Sequence, residues 1–177
     1  MTAEPINPFS APNWILDDGK LGKGKSGRID ASAAECAAAA KALDLLECRK
    51  LSLSYTLKAM PVAGFRMRAE VTAEVVQACV ITTEPVVSTT REEVDVDLLP
   101  ASVAPPVAGE VSFDPLNDSD SESYADGKID LGQYAFELFS TSIDPYPRKP
   151  GSELAEPSAD DRAKLSPFAV LGKLKGK

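Results

Sequence analysis

The chain lacks histidine altogether. Histidine is the side chain whose unperturbed pKa falls near neutrality, so the commonest general base and the commonest metal ligand are both missing. A Ser-His or Cys-His nucleophile is thereby excluded. Cysteine is scarce too. Cys36, Cys48 and Cys79 form no C-x-x-C pair, and their odd number, with no secretory leader, fits a reducing cytosol rather than a disulfide scaffold. They read as small apolar core residues. Aromatic residues make up 6% of the chain. No run approaches the roughly 18 consecutive apolar residues of a membrane span. The opening stretch, with Pro5, Pro8 and Pro12 among mixed charges, does not read as a targeting peptide.

What is present is acid. The formal net charge of the 177 residues is −8, and a simple nucleic-acid binder is usually basic, because neutralising phosphates supplies its affinity. The charge is also unevenly spread. From Glu84 to Asp126 there are eleven acids and one base, whereas from Asp160 to Lys177 there are five bases and two acids. This asymmetry describes an acidic body with a basic arm. The length allows one domain with tails.

Residues 1–29 are rich in proline and glycine and are expected to be a flexible N-terminal segment, to which Trp14, Ile15 and Leu16 could add one short strand. Asp30 to Leu43 reads as a helix, opened by a Ser32/Glu35 capping box and continued by an alanine run, with Ala34, Ala37, Ala38 and Leu43 toward a core and Cys36 near that face. Leu51, Leu53, Tyr55 and Leu57 then alternate with polar residues, the period of a half-buried strand. A turn at Met60–Gly64 leads to a second alternating run from Phe65, expected to continue through Cys79 and Ile81 until Pro85 interrupts it. Val86, Val87, Val94, Val96 and Leu98 mark a third strand. Strands joined by short links make an antiparallel meander.

Pro100 to Gly127 is rich in proline and acid, and about 102–127 is expected not to order. Ile129 to Ile143 is a second helix, N-capped by Asp130. Its stripe of Leu131, Tyr134, Ala135, Leu138 and Phe139 is set to cover the sheet, and Pro145 and Pro147 stop it. Gly151 to Lys164 is a polar linker. A terminal helix starts at Ser166, with Pro167 in its first turn and an apolar ridge of Phe168, Leu171 and Leu174 followed by Lys173, Lys175 and Lys177. The ridge either docks on a partner or folds back onto the sheet. The fold class is therefore α+β: an antiparallel β-meander sheet with two packed helices, a flexible N-terminus, an acidic loop and a C-terminal tail. The single domain spans 30–150, and 151–177 is linker and short helix.

Two motif-like stretches carry no chemistry. Gly19 to Arg28 has the composition of a phosphate loop without the GxxxxGK[ST] spacing. Asp118 to Asp130 cannot be a calcium loop. With Gly127 at position 6, Tyr124 and Gln133 fall where carboxylates belong. It reads as a solvated acidic loop, and the same holds against paired hydrolytic carboxylates on so irregular a segment.

Three further stretches stand in order along the chain: Cys79 to Val86 (CVITTEPV), Lys128 to Gly151 (KIDLGQYAFELFSTSIDPYPRKPG) and Ser166 to Lys177 (SPFAVLGKLKGK). Together they resemble the YceD family, the large ribosomal RNA subunit accumulation proteins of bacteria and plastids. The family shows a C-x-x-C/T-L-x-P-[VF] core, an I-D-L start to a helix followed by P-x-x-P, and a PNPFAVLASLKRK-type end. Where many members carry C-x-x-C, this chain has Cys79 and Thr82, and one thiolate cannot make the four-ligand site of structural zinc.

The resemblance implies a non-enzymatic, cytoplasmic ribosome-biogenesis factor that supports accumulation of large-subunit ribosomal RNA. It implies no catalytic residue, no cofactor and no metal. The partner would be a ribosomal protein or a large-subunit precursor particle, with RNA contact through the tail. On it, Cys79, Thr82, Glu84, Pro85, Asp130, Leu131, Pro145, Pro147, Arg148, Lys149, Pro167, Phe168, Leu171, Lys173 and Lys175 are the candidate partner-binding residues. Two alternatives stay open: direct ribosomal RNA binding through the basic tail, and a small metal protein or enzyme. The oligomeric state is not specified.

Overall fold

Alternation of apolar and polar residues builds the centre of the molecule. The structure, a computed structural model, describes residues 7–103 and 121–153. Its elements in chain order are β1 (Ile15–Asp17), β2 (Gly24–Asp30), α1 (Ala33–Ala42), β3 (Glu47–Ala59), β4 (Phe65–Ala78), β5 (Pro85–Pro100), β6 (Ser121–Tyr124), β7 (Lys128–Asp130) and α2 (Leu131–Ser142). The fold is α+β. The main sheet has the order β2-β3-β4-β5-β6, antiparallel except for the parallel β5–β6 pair, and β1 pairs separately with β7.

The register puts like with like on each face. Leu53 pairs with Val71, Leu57 with Met67 and Phe65 with Leu98, and all six side chains are buried. The opposite face carries charge in crossed pairs. Arg66 and Arg68 both reach Asp95, at 2.7 and 2.8 Å, and Arg91 bridges Glu70 and Glu93. These pairs are solvent-exposed and screened by water, so each adds little to stability. Their larger effect is to leave that face nearly neutral.

Helix α2 is capped as its sequence predicts. The Asp130 carboxylate accepts from the backbone N–H groups of Gly132 and Gln133. Leu131, Ala135 and Phe139 are fully buried against the sheet, with Tyr134 and Leu138 partly so. Burying a side chain such as Leu131 or Phe139 stabilises by roughly 1.5–3 kcal/mol. Helix α1 forms with the Ser32/Glu35 capping box closed in both directions. Cys36, read from the sequence as near the core face, is buried, but the alanines beside it differ from expectation: Ala39 and Ala40 are buried, whereas Ala34, Ala37 and Ala38 are exposed. In an alanine run every face is equally apolar, so periodicity gives no phase.

The largest correction concerns the N-terminal segment. Residues 7–29, expected to be flexible, are built into the fold. Phe9 and Trp14 are completely buried with ring centroids 5.0 Å apart, and Phe9 also meets the Phe136 ring at 6.3 Å. Trp14 donates its indole N–H to Glu35 at 2.7 Å, so the α1 capping carboxylate also anchors the N-terminal segment. Burial works against that carboxylate's charge, but hydrogen bonds from Ser32 and Trp14 outweigh it and hold the pKa below the ordinary range. The stretch rich in glycine and lysine becomes the edge strand β2, seven residues paired with β3. The end of the expected acidic loop, Ser121–Tyr124, is the strand β6. Residues 104–120, the linker beyond 153 and the terminal helix lie outside the described residues. Among the described residues no helix is long and apolar enough to cross a membrane.

Candidate functional site around Cys79

The second alternating run does not continue through Cys79 and Ile81. Strand β4 ends at Ala78, and Cys79 opens a tight turn into β5. The reason is local. The Cys79 N–H donates to the Glu84 carbonyl at 2.8 Å, and the Thr83 N–H returns to the Cys79 carbonyl at 2.9 Å. Thr83 takes a left-handed φ of 61° to close the loop, a conformation uncommon for a β-branched residue. Pro85 can then begin β5 because the first residue of a strand needs no N–H donor.

A distant segment completes this turn. The Val80 N–H donates to the Pro147 carbonyl at 2.9 Å, and the Gln77 amide donates to the Asp144 carbonyl at 2.9 Å. The Lys149 ammonium sits 2.8 Å from Glu84, closing the junction from outside. Glu84 is accordingly held below the usual carboxylate range, first by its hydrogen bond with Lys149.

The Cys79 sulfur lies at the centre. It is 1% exposed and accepts hydrogen bonds from the backbone N–H groups of Lys149 at 3.4 Å and of Ile81 and Thr82 at 3.5 Å. The Ser152 hydroxyl oxygen, 3.7 Å away, accepts from the thiol when it is protonated, and donates its own hydrogen to the Lys149 carbonyl at 2.6 Å. Donors converging on one sulfur favour the thiolate. The Cys79 pKa falls from 9.0 to about 6, with the Lys149 N–H the largest cause, then the Thr82 hydroxyl and the Thr82 N–H. Burial opposes the shift without cancelling it. Thr82 thus supplies a hydroxyl donor to the Cys79 sulfur.

The candidate residues divide into three groups. Cys79, Thr82, Glu84, Pro85, Pro145, Pro147, Arg148 and Lys149 belong to this one junction. Asp130 and Leu131 sit apart from it at the start of α2, as a cap and a core residue. Pro167, Phe168, Leu171, Lys173 and Lys175 lie outside the described residues. Sequence reasoning missed Ser152, which locks the far side of the junction, and Gln77, which ties β4 to the end of α2. Gly151, just before Ser152, takes a left-handed φ of 79°.

The junction presents apolar surface that the fold leaves open. Tyr146 is 70% exposed and Val80 49% exposed, and Pro85, Pro145 and Arg148 are exposed beside them in the same two segments. Among the described residues no group of three or more Cys, Asp or Glu side chains could hold a metal ion. The arrangement is an exposed surface framed by Pro85 and Pro145. No family model, no curated protein and no solved structure matches the chain.

Proposed function

We propose that this chain is a non-enzymatic ribosome-assembly factor of the YceD type, an acidic adaptor that binds a basic ribosomal protein or a large-subunit precursor particle. The observation that carries the proposal is the meeting of two of its three family-like motifs. Residues 79–85 and 145–149 stand far apart in the chain, yet they close one junction and surround an open Tyr146 and Val80. Tyrosine and arginine are the residue types enriched where protein interfaces concentrate binding energy, and Tyr146 and Arg148 stand two positions apart here.

Charge supports a protein partner over a broad grip on RNA. The outer sheet face is neutralised by its own ion pairs. The acidic segment from Glu110 to Asp126 gives a basic ribosomal protein its counter-charge, and the lysine-ended tail engages the particle. The test is a pull-down from a bacterial lysate with the tagged full chain, with and without ribonuclease. Large-subunit ribosomal proteins are expected to stay bound after ribonuclease. Loss of every partner would overturn the adaptor reading in favour of direct RNA binding through Arg148, Lys149, Lys173, Lys175 and Lys177, with its steep salt dependence on naked RNA.

A further inference from the structure

Away from the Cys79 junction, a second chemical feature lies where α1 meets β3. Cys36 on α1 and Cys48 on β3 are both buried, at 4% and 6% exposure; they line one cleft and lie near enough for each to affect the other's ionisation. The β3–β4 register slips between Cys48 and Lys50, and the Cys48 thiol also reaches the Lys50 carbonyl at 3.7 Å. The pair is not sealed. A cleft of about 540 Å³ between α1 and the start of β3 is lined by both cysteines, with Lys41 and Arg49 among its other lining residues.

We propose that Cys36 and Cys48 form a reversible dithiol–disulfide site that reacts with small-molecule disulfides of the glutathione type entering through this cleft. Lys41 suits a carboxylate of such a reagent, whereas Arg49 is already bridged to Glu47 at 3.0 Å and Glu74 at 3.2 Å. In the first step the Cys36 sulfur attacks one sulfur of the reagent. A mixed disulfide forms, the reagent's S–S bond breaks, and the first small thiol leaves with the Cys36 proton. In the second step the Cys48 sulfur attacks the Cys36 sulfur. The protein disulfide forms, the mixed disulfide breaks, and the second small thiol leaves with the Cys48 proton. Two protein thiols are oxidised and one small disulfide is reduced to two thiols.

The order of attack follows from the surroundings. Burial raises both thiol pKa values, most strongly for Cys48, which is pushed up to about 12. Cys36 alone gains from hydrogen bonds that favour its charged form, donated by Cys48 and by the Leu51 backbone. Part of what holds Cys48 protonated is the charge and hydrogen bonding of Cys36. That part disappears once Cys36 is capped, so the first step activates the second. The closed bond would matter to the fold, because α1 is held by little: its buried residues are Cys36, Ala39 and Ala40. A disulfide would fasten it to β3.

The experiment treats the folded full chain with oxidised glutathione and follows free thiols, intact mass and peptide mapping. The expected product has lost two of its three thiols and two hydrogen masses. It carries a Cys36–Cys48 link with Cys79 still free, and it melts at a higher temperature than the reduced chain until dithiothreitol reverses it. Cys48→Ser, with Cys48→Ala as a second variant, should stop at one glutathionyl group on Cys36. Stable glutathionylation of Cys79, a link between two chains, or three unreacted thiols in the folded chain while the unfolded chain reacts would each overturn the proposal.

Discussion

A single buried sulfur carries the junction. Cys79 joins its own turn to a segment beginning at Asp144 by accepting N–H donors from both. Because its folded pKa of about 6 lies below the unfolded value of 9.0, the unfolded chain binds more protons between these values. The contribution of Cys79 to stability is therefore complete above about pH 9 and is lost as pH falls through about 6. The raised Cys36 and Cys48 act in the opposite sense, at alkaline pH. Denaturation of wild type and Cys79→Ser across this range should give a stability difference that grows with pH from 6 to 9. A difference independent of pH would mean that the sulfur is neutral in the fold. The cysteine and its spacing to Thr82 were legible in the sequence. Its donors were not, because the strongest of them belongs to a residue seventy positions away.

Elements were legible wherever periodicity has a phase. The alternation of β3 and β4 and the stripe of α2 follow from side chains that differ between faces. The run of α1 has no such contrast, and its buried face emerges only from packing. The N-terminal segment was hidden for another reason. Phe9, Trp14, Leu16 and Leu21 are spaced irregularly among prolines and glycines, so they form neither template, yet each fills a site under α2 or beside the sheet. Gly132 makes this packing testable. A Cβ there would run into the Phe9 carbonyl, backbone that cannot swing aside as a side chain would. Gly132→Ala should destabilise the chain by about 1–3 kcal/mol, read by denaturant titration, with faster exchange of the amides in 14–18. An unchanged midpoint would mean that the N-terminal segment is not docked.

At the scale of the whole molecule, charge is separated along the chain and cancelled on the sheet. Four bases and no acid stand between Lys20 and Arg28 at the β2 edge, while Glu92, Glu93, Asp95, Asp97 and Glu122 crowd the β5–β6 side. Arg66, Arg68 and Arg91 bridge part of that excess. Composition showed the acidic middle but not this cancellation, which depends on strand order and register. The junction leaves Tyr146 and Val80 exposed, and on the proposed function it docks on a ribosomal assembly intermediate. Co-sedimentation of the tagged full chain with large-subunit precursors on a gradient tests this most directly. The wild-type chain is predicted to travel with the precursor. The double variant Tyr146→Ala/Arg148→Glu, folded by circular dichroism, is predicted to stay at the top of the gradient. Equal co-sedimentation of the two would contradict the account.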